Sequence, residues 1–133
     1  MLELNATLEF HDSEVRSVEP REASLLVTFS AAYVHRSNGH PGIDSGSGYV
    51  QTVEMEFLDA TWNGPMTECV GRLSDGIVTS NGIARSLIQV PFSSNGPVSS
   101  ELQFSNGSLL SIRAQKLICR FAGEPNFVEV FRC

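Results

Sequence analysis

Three histidines and their acidic neighbours carry the most distinctive chemistry in this sequence. His11 precedes Asp12 in the segment Phe10–Ser13, an order that would suit a general base oriented by a carboxylate. Adjacent residues of a strand point to opposite faces, however, so His11 and Asp12 would not meet directly in an extended segment. Asp12 and Ser13 are common turn residues, and we expect one of them to fix the corner between the first two strands. His11 and Asp12 remain candidates for ligand binding and not for catalysis.

The other two histidines flank a loop. His35 and His40 are five residues apart and Asp44 follows them, but a metal site needs three or four converging ligands, which a mobile loop does not preform. We therefore predict no metal site. His35 shares the parity of the apolar residues Leu25 to Tyr33, so without a bulge it faces inward at the end of a strand. There it would contact a ligand at a barrel mouth or serve as a buried structural histidine.

Gln51 interrupts the apolar stripe formed by Tyr49, Val53, Met55 and Phe57. A buried polar group without a partner costs about 1–3 kcal/mol, so Gln51 either pairs with another polar group across the core or lines a cavity. The candidate ligand-binding residues are thus His35, Gln51, His11 and Asp12.

The sequence lacks the short motifs of hydrolases, phosphate loops, zinc proteases and calcium loops, so we predict no catalytic residues and no cofactor. Cys69, Cys119 and Cys133 include no Cys-x-x-Cys pair, and the first residues lack the charged and apolar regions of a signal peptide. These features predict free thiols in the cytoplasm.

Turn signals and period-two alternation predict the elements that position these residues. Asn-Gly and Asp-Gly pairs recur along the chain, and the runs between them alternate apolar and polar residues. The predicted turns include Asp75-Gly76, Asn81-Gly82, Asn95-Gly96-Pro97 and Asn106-Gly107. The clearest hairpin surrounds Asn106-Gly107. The predicted strands are 2–10, 14–19, 23–35, 49–61, 67–73, 76–80, 84–91, 98–105, 108–115, 116–122 and 127–132. We predict a single all-β domain spanning residues 1–133, an antiparallel meander of 8–10 strands closed or partly open as a barrel, with a two-sheet sandwich as the alternative. Residues 36–48, rich in Gly and Ser, form its one long flexible loop.

Charge and length restrict the function. The chain has 133 residues and a formal net charge of −6, which disfavours contact with nucleic acids or anionic membranes. No apolar run is long enough to span a membrane as a helix. An acidic surface would instead steer a basic protein partner. Unpaired strand edges would also allow a homodimer.

The segment from Phe10 to Val15 reads FHDSEV, and the segment from Leu102 to Ser108 reads LQFSNGS. Together they resemble a scattered set of small bacterial proteins that begin with a His-Asp-Ser or His-Asp-Ala motif and end in a β-hairpin. These proteins are largely uncharacterised, and some look like immunity proteins that neutralise toxins. The resemblance implies a small bacterial β-domain and carries over no catalytic residue.

Two hypotheses follow. The first is a non-enzymatic interaction module, of immunity type, that binds a basic protein. The second is a barrel that holds a small apolar or amphipathic ligand, with cofactor-free enzymatic chemistry as its extension.

Overall fold

The computed structural model describes residues 5–41 and 43–131 of the chain. Within these ranges the regular structure is β-strand apart from one 3-10 turn at Met66–Glu68. The strands are β1 (Asn5–Arg21), β2 (Ser24–Ser37), β3 (Gly46–Leu58), β4 (Thr61–Asn63), β5 (Gly71–Ser80), β6 (Ile83–Arg85), β7 (Leu87–Gln89), β8 (Phe92–Phe104), β9 (Leu109–Phe121) and β10 (Asn126–Phe131). The ends of the predicted strands at residues 2–4 and 132 lie outside the described residues.

Six strands form a closed antiparallel barrel. β1, β2 and β3 make one three-stranded meander, and β5, β8 and β9 make another. Pairing of β3 with β9 and of β1 with β5 closes the barrel. The predicted all-β antiparallel barrel is therefore confirmed. The order of strands departs from a simple meander where the chain crosses from β3 to β5 and β4 pairs with β9 on the way. It departs again where β7 pairs with β1 and where the last strand, β10, pairs with β3.

The contact between β1 and β5 is the narrow seam of the barrel. Only Glu14 with Arg72 and Val15 with Gly71 pair directly there. Above these pairs the two strands diverge, and the segment between β5 and β8 fills the gap, with β6 paired to β5 and β7 paired to β1. This end of the barrel is consequently built from three-residue strands and loops.

Long aromatic and aliphatic side chains fill the interior. The rings of Phe10 and Phe29 lie 6.3 Å apart, and Phe57 and Phe104 are as deeply buried. A barrel of six strands is narrow, since even eight strands enclose only enough space for side chains. Cys69 and Cys119 are buried free thiols that pack in this core.

Two predicted turns are wrong because the chain passes through them as bulges within continuous strands. Asp75-Gly76 lies in the middle of β5, beside a register shift relative to β8. Gly96, in the predicted turn Asn95-Gly96-Pro97, lies inside β8, where the register with β9 shifts. Gly96 has a positive φ of 144° in its bulge, a backbone angle that suits a turn as well. The predicted strand 67–73 is likewise replaced in part by the 3-10 turn.

The predicted turns Asn81-Gly82 and Asn106-Gly107 are confirmed. Asn81 and Gly82 both have positive φ and connect the paired residues Ser80 and Ile83. At the second turn the side-chain oxygen of Asn106 accepts a hydrogen bond from the amide of Ser108 at 2.9 Å. Asn and Gly tolerate these backbone angles better than other residues.

The loop after β2 is shorter than the predicted range 36–48. β2 continues to Ser37 and β3 begins at Gly46, which leaves residues 38–45 as the connection. Gly46 can pair in the ladder because it has no side chain. A Cβ at this position would lie 2.1 Å from the carbonyl oxygen of Arg36, so only glycine permits this approach.

None of the helical structure in the described ranges is long and apolar enough to cross a membrane.

Candidate functional site

His35 lies on the outer face of the barrel and not on the inner face that an unbroken alternation predicts. Between Phe29 and Ala32, β2 carries one residue more than β3 does over the matching pairs, which is a β-bulge. One extra residue reverses which side chains face the core. Val34 and Arg36 therefore face inward, and His35 faces outward.

The outer face around His35 carries a polar cluster. Nε2 of His35 lies 3.4 Å from Oε2 of Glu9, and its ring centroid lies 5.1 Å from that of Tyr33. The hydroxyl of Tyr33 donates a short hydrogen bond to Glu129 of β10. Burial raises the pKa of Tyr33 above the usual range, and the hydrogen bond to Glu129 and its charge raise it further. The side chain of His35 is only 9% exposed, so this cluster joins strands together and leaves His35 little surface for a ligand.

A larger bulge in β1 explains the motif around His11. Between the pairs Glu9–Tyr33 and Glu14–Ala31, β1 advances by five residues while β2 advances by only two. Ser13 satisfies the main-chain groups that this bulge leaves unpaired: its Oγ donates to the carbonyl of Glu9 at 2.5 Å and accepts from the amide of Tyr33 at 2.9 Å. Ser13 thus has the expected structural role, but in a bulge inside one continuous strand, β1, and not at a corner between the predicted strands 2–10 and 14–19.

Asp12 has a φ of 73°, a left-handed conformation that breaks the alternation of the strand. His11 and Asp12 therefore do meet, with Nδ1 of His11 3.3 Å from Oδ2 of Asp12, in contrast to the expectation for an extended segment. The guanidinium of Arg72 donates a short hydrogen bond to Asp12, and this bond is the main cause of the lowered pKa of the Asp12 carboxyl. The pair connects β1 to β5 beside the seam.

Gln51 faces inward and pairs with a second polar residue. Its Oε1 accepts a hydrogen bond from Nη2 of Arg36 at 2.8 Å, and its Nε2 donates to the carbonyl of Gly123 at 2.5 Å. The guanidinium of Arg36 lies 4.9 Å from the ring centroid of Phe121 and 5.5 Å from that of Tyr49. Of the two possibilities for Gln51, the structure has the polar pairing.

Sequence reasoning missed Arg36 because it assumed an unbroken strand. The signal was present: Val34, an apolar residue, lies on the parity opposite to Val27 and Phe29. An apolar residue that changes parity partway along a strand indicates a bulge between the two stretches.

An acidic groove lies at the end of the barrel opposite to His35 and Gln51. It has a volume of about 610 Å³ and lies between the β1–β2 turn and the end of β3. Its lining consists of Arg21, Glu22, Ala23, Ser24, Glu56, Leu58 and Asp59. The amide of Ala60 donates to the carbonyl of Ala23 at 2.9 Å, which fixes the two turns side by side.

Glu22 and Asp59 give this groove its charge. Their φ angles are 40° and 50°, both in the left-handed region that favours glycine. Each such residue costs roughly 1 kcal/mol or more relative to an ordinary conformation. Within residues 5–41 and 43–131, neither carboxylate forms an ion pair, whereas Glu56 binds Arg120 at 3.1 Å. Asp59 follows Leu58, the last residue of β3, and lies in the turn after that strand.

A second depression, the loop cleft, lies at the end of the barrel where the seam diverges. It has a volume of about 460 Å³ and is bounded by the start of β1, the 38–45 loop and β6–β7. Its lining consists of Asn5, Ala6, Thr7, Gly39, His40, Pro41, Ile43, Arg85, Leu87 and Gln89.

The four predicted ligand-binding residues do not form one site. His11 and Asp12 lie at the β1 bulge, His35 lies in the outer cluster, and Gln51 lies inside. Across the described part of the chain, no group of three or more His, Cys, Asp or Glu side chains is arranged to hold a metal ion. The acidic groove and the loop cleft are two depressions of the described surface that offer charged side chains to a ligand.

Comparison with known proteins adds no relative: no protein-family model, no curated protein and no solved structure matches this chain.

Proposed function

We propose that this chain is a non-enzymatic interaction module whose acidic groove binds a basic segment of a protein partner. The observation that carries the proposal is that Glu22 and Asp59 both line the groove from left-handed positions in neighbouring turns, and that neither carboxylate has an ion-pair partner among the described residues. Strained residues of this kind persist when the surroundings fix them, and they occur often at binding sites.

The lining of the groove suits the side chains of lysine and arginine, since its own cation, Arg21, is paired with Glu19 at 3.4 Å. Leu58 and Ala23 offer apolar surface, on which an aliphatic stem can lie, and Glu22 and Asp59 offer carboxylates for the cationic head. Of the two, arginine would bind more strongly, because its guanidinium can donate two parallel hydrogen bonds to one carboxylate.

The charge of the whole chain supports the same partner. With a net charge of −6, the protein attracts a basic partner from a distance and accelerates its association. The resemblance of the FHDSEV and LQFSNGS segments to immunity-like bacterial proteins agrees with this class of partner. The alternative, a ligand inside the barrel, is less favoured because Phe10, Phe29, Phe57 and Phe104 occupy the interior.

The experiment is a titration of the protein with a fluorescently labelled peptide of alternating arginine and serine. Replacing Glu22 and Asp59 together by Gln and Asn should weaken binding roughly five- to tenfold, since each exposed ion pair contributes about 0.2–1 kcal/mol. Raising the salt concentration should weaken binding to the unmodified protein more than binding to this variant.

The matched control replaces two other exposed carboxylates, Glu101 and Glu124, by Gln. Both double variants lower the negative charge equally, so a general attraction of the peptide to an acidic protein would weaken both equally. That result, or no saturable binding at all, would overturn the proposal. As a check on strain, Glu22→Gly should weaken binding while keeping or raising the free energy of unfolding.

A further inference from the structure

The loop cleft differs from the rest of this acidic protein in its charge. The protein has 15 acidic residues against 9 basic ones, yet the lining of the cleft includes no Asp or Glu among the described residues. Arg85 and His40 supply its ionisable groups. Asp44 lies in the same loop without lining the cleft, and its Oδ2 is 3.2 Å from Nδ1 of His40. Arg85 is therefore the cation of the lining that favours an anion over the basic partner expected at the acidic groove.

Arg85 has donors available for a ligand. Its recorded hydrogen bond runs from Nη1 to the neutral hydroxyl of Ser80, at 3.3 Å. Arg21, Arg72 and Arg120, in contrast, each contact a carboxylate. A guanidinium presents five N–H donors in a planar fork that matches a carboxylate, so most of the donors of Arg85 remain for a bound anion.

The cleft also has an apolar side. Ile43 is 66% exposed, and Leu87 lines the cleft across from the loop that carries Ile43. A ligand that covers Ile43 would bury apolar surface, and each buried CH₂ group contributes about 0.8 kcal/mol. Apolar surface beside a cation fits a ligand that has a charged head and a hydrocarbon body.

The loop wall of the cleft is held by its own hydrogen bonds. Nδ2 of Asn5 donates to the carbonyl of Gly39 at 2.8 Å, and the amide of His40 donates to Oδ2 of Asp44 at 2.7 Å. A Cβ on residue 39 would lie 2.4 Å from that same carboxylate oxygen, so the absence of a side chain at Gly39 leaves room for the Asp44 carboxylate in this position. A wall fixed in this way loses little entropy when a ligand binds.

We infer that the loop cleft binds a small amphipathic carboxylate, with the carboxylate on Arg85 and the hydrocarbon body against Ile43 and Leu87. Its volume of about 460 Å³ lies within the usual range of small-molecule sites, about 300–1,000 Å³. This inference is independent of the acidic groove, which lies at the other end of the barrel.

The test is a calorimetric titration with octanoate, alongside octanol as a probe with the same hydrocarbon body and no charge. Octanoate should bind saturably with one molecule per chain, and octanol should bind at least about tenfold more weakly. Arg85→Gln should lower the octanoate affinity about tenfold and leave the octanol affinity unchanged. Ile43→Ser should lower both affinities.

The matched control is Arg113→Gln, which removes the same charge from an exposed arginine of β9. It should leave octanoate binding within about twofold of the unmodified protein. Chemical-shift changes in an NMR titration should fall on residues 39–43 and 85–89. The inference is overturned by an absence of saturable octanoate binding, by equal losses in the two arginine variants, or by shift changes at the acidic groove instead.

Discussion

Tyr33 and Glu129 form a side-chain contact between the barrel and the last strand, in addition to the ladder that pairs β10 with β3. They reach each other across β3 at Gly48, the residue that pairs with both His35 and Glu129. Because glycine has no side chain, it leaves space above the sheet for the two polar groups. The burial and the nearby carboxylates that raise the pKa of Tyr33 are thus consequences of where β10 lies.

Tyr33 should stay neutral at a pH that ionises an ordinary tyrosine. In a Tyr49→Phe variant it is the only tyrosine, so the ultraviolet absorbance of phenolate reports on it alone. At a pH of about 11, one unit above the usual tyrosine pKa, we expect Tyr33 to remain mostly protonated. Because its pKa is raised in the folded protein, its contribution to the free energy of unfolding is complete below pH 10 or so and decreases as the pH rises further.

Adding Glu129→Gln to that variant should shift the titration of Tyr33 towards the ordinary value, since it removes a negative charge. An unchanged titration in the presence of Glu129→Gln would contradict this assignment of the cause.

The residue types indicated which positions carry polar side chains, but they did not always indicate which way those side chains face. Gln51 was recognised as an inward polar residue, and Ser13 as a candidate to fix a corner, from local sequence alone. The orientation of His35 and the role of Arg36 were not recognised, because both depend on a bulge in β2. Whether that bulge is favourable depends on how β2 pairs with β1 and β3. Pairing between distant strands is not encoded in a window of neighbouring residues.

At the level of the element, β5 shows why an Asp-Gly pair is not always a turn. Gly76 is buried inside the strand, and a Cβ placed on it would lie 2.6 Å from Cγ of Phe10. The glycine therefore serves the close approach of an aromatic ring to the backbone. A sequence window contains the Asp-Gly signal but not the ring, which comes from a strand more than sixty residues earlier in the chain.

Gly76→Ala should destabilise the protein by about 1–3 kcal/mol, because an extra methyl group must displace the ring of Phe10. Urea unfolding measures the effect. In a double-mutant cycle, Phe10→Leu should reduce the cost of Gly76→Ala, since a smaller side chain leaves space for the methyl group. Additive losses in the two variants would show that the contact with Phe10 is not the reason for the glycine.

For the whole molecule, the fold class was predictable while its closure was not. Period-two alternation and Asn-Gly turns were enough to predict an antiparallel barrel, and its hairpins at Asn81-Gly82 and Asn106-Gly107 were found. The crossing from β3 to β5 was not predicted, because short connections favour pairing between successive strands. The two depressions could not be predicted either. The acidic groove combines two turns that are far apart in the chain, and the loop cleft combines three separate segments.

The narrow seam between β1 and β5 makes the barrel sensitive to acid. Arg72 lowers the pKa of Asp12 in the folded protein, so this carboxylate contributes to the free energy of unfolding above the ordinary Asp value of about 4. The contribution is lost as the pH falls through the lowered value. We therefore expect Asp12→Asn to destabilise the protein at neutral pH and to have little effect near pH 2 or so.

Urea unfolding at both pH values measures this difference, and Glu101→Gln is the control, as an exposed carboxylate on β8. An equal loss of stability at both pH values in Asp12→Asn would contradict a role for the charge. Amide hydrogen exchange should additionally show that Val15 and Gly71, which pair across the seam, become less protected in Asp12→Asn.

The way the barrel closes gives the chain an internal two-fold arrangement. The first strands of the two meanders, β1 and β5, pair with each other, and so do the third strands, β3 and β9. In a symmetric dimer, a surface of one subunit contacts the same surface of the other subunit in the opposite direction. Equivalent strands of the two meanders meet here in the same way. Seen in this way, the crossing from β3 to β5 is a tether between two half-barrels. A nick within that tether should leave two fragments that associate through both pairs of strands, as subunits do.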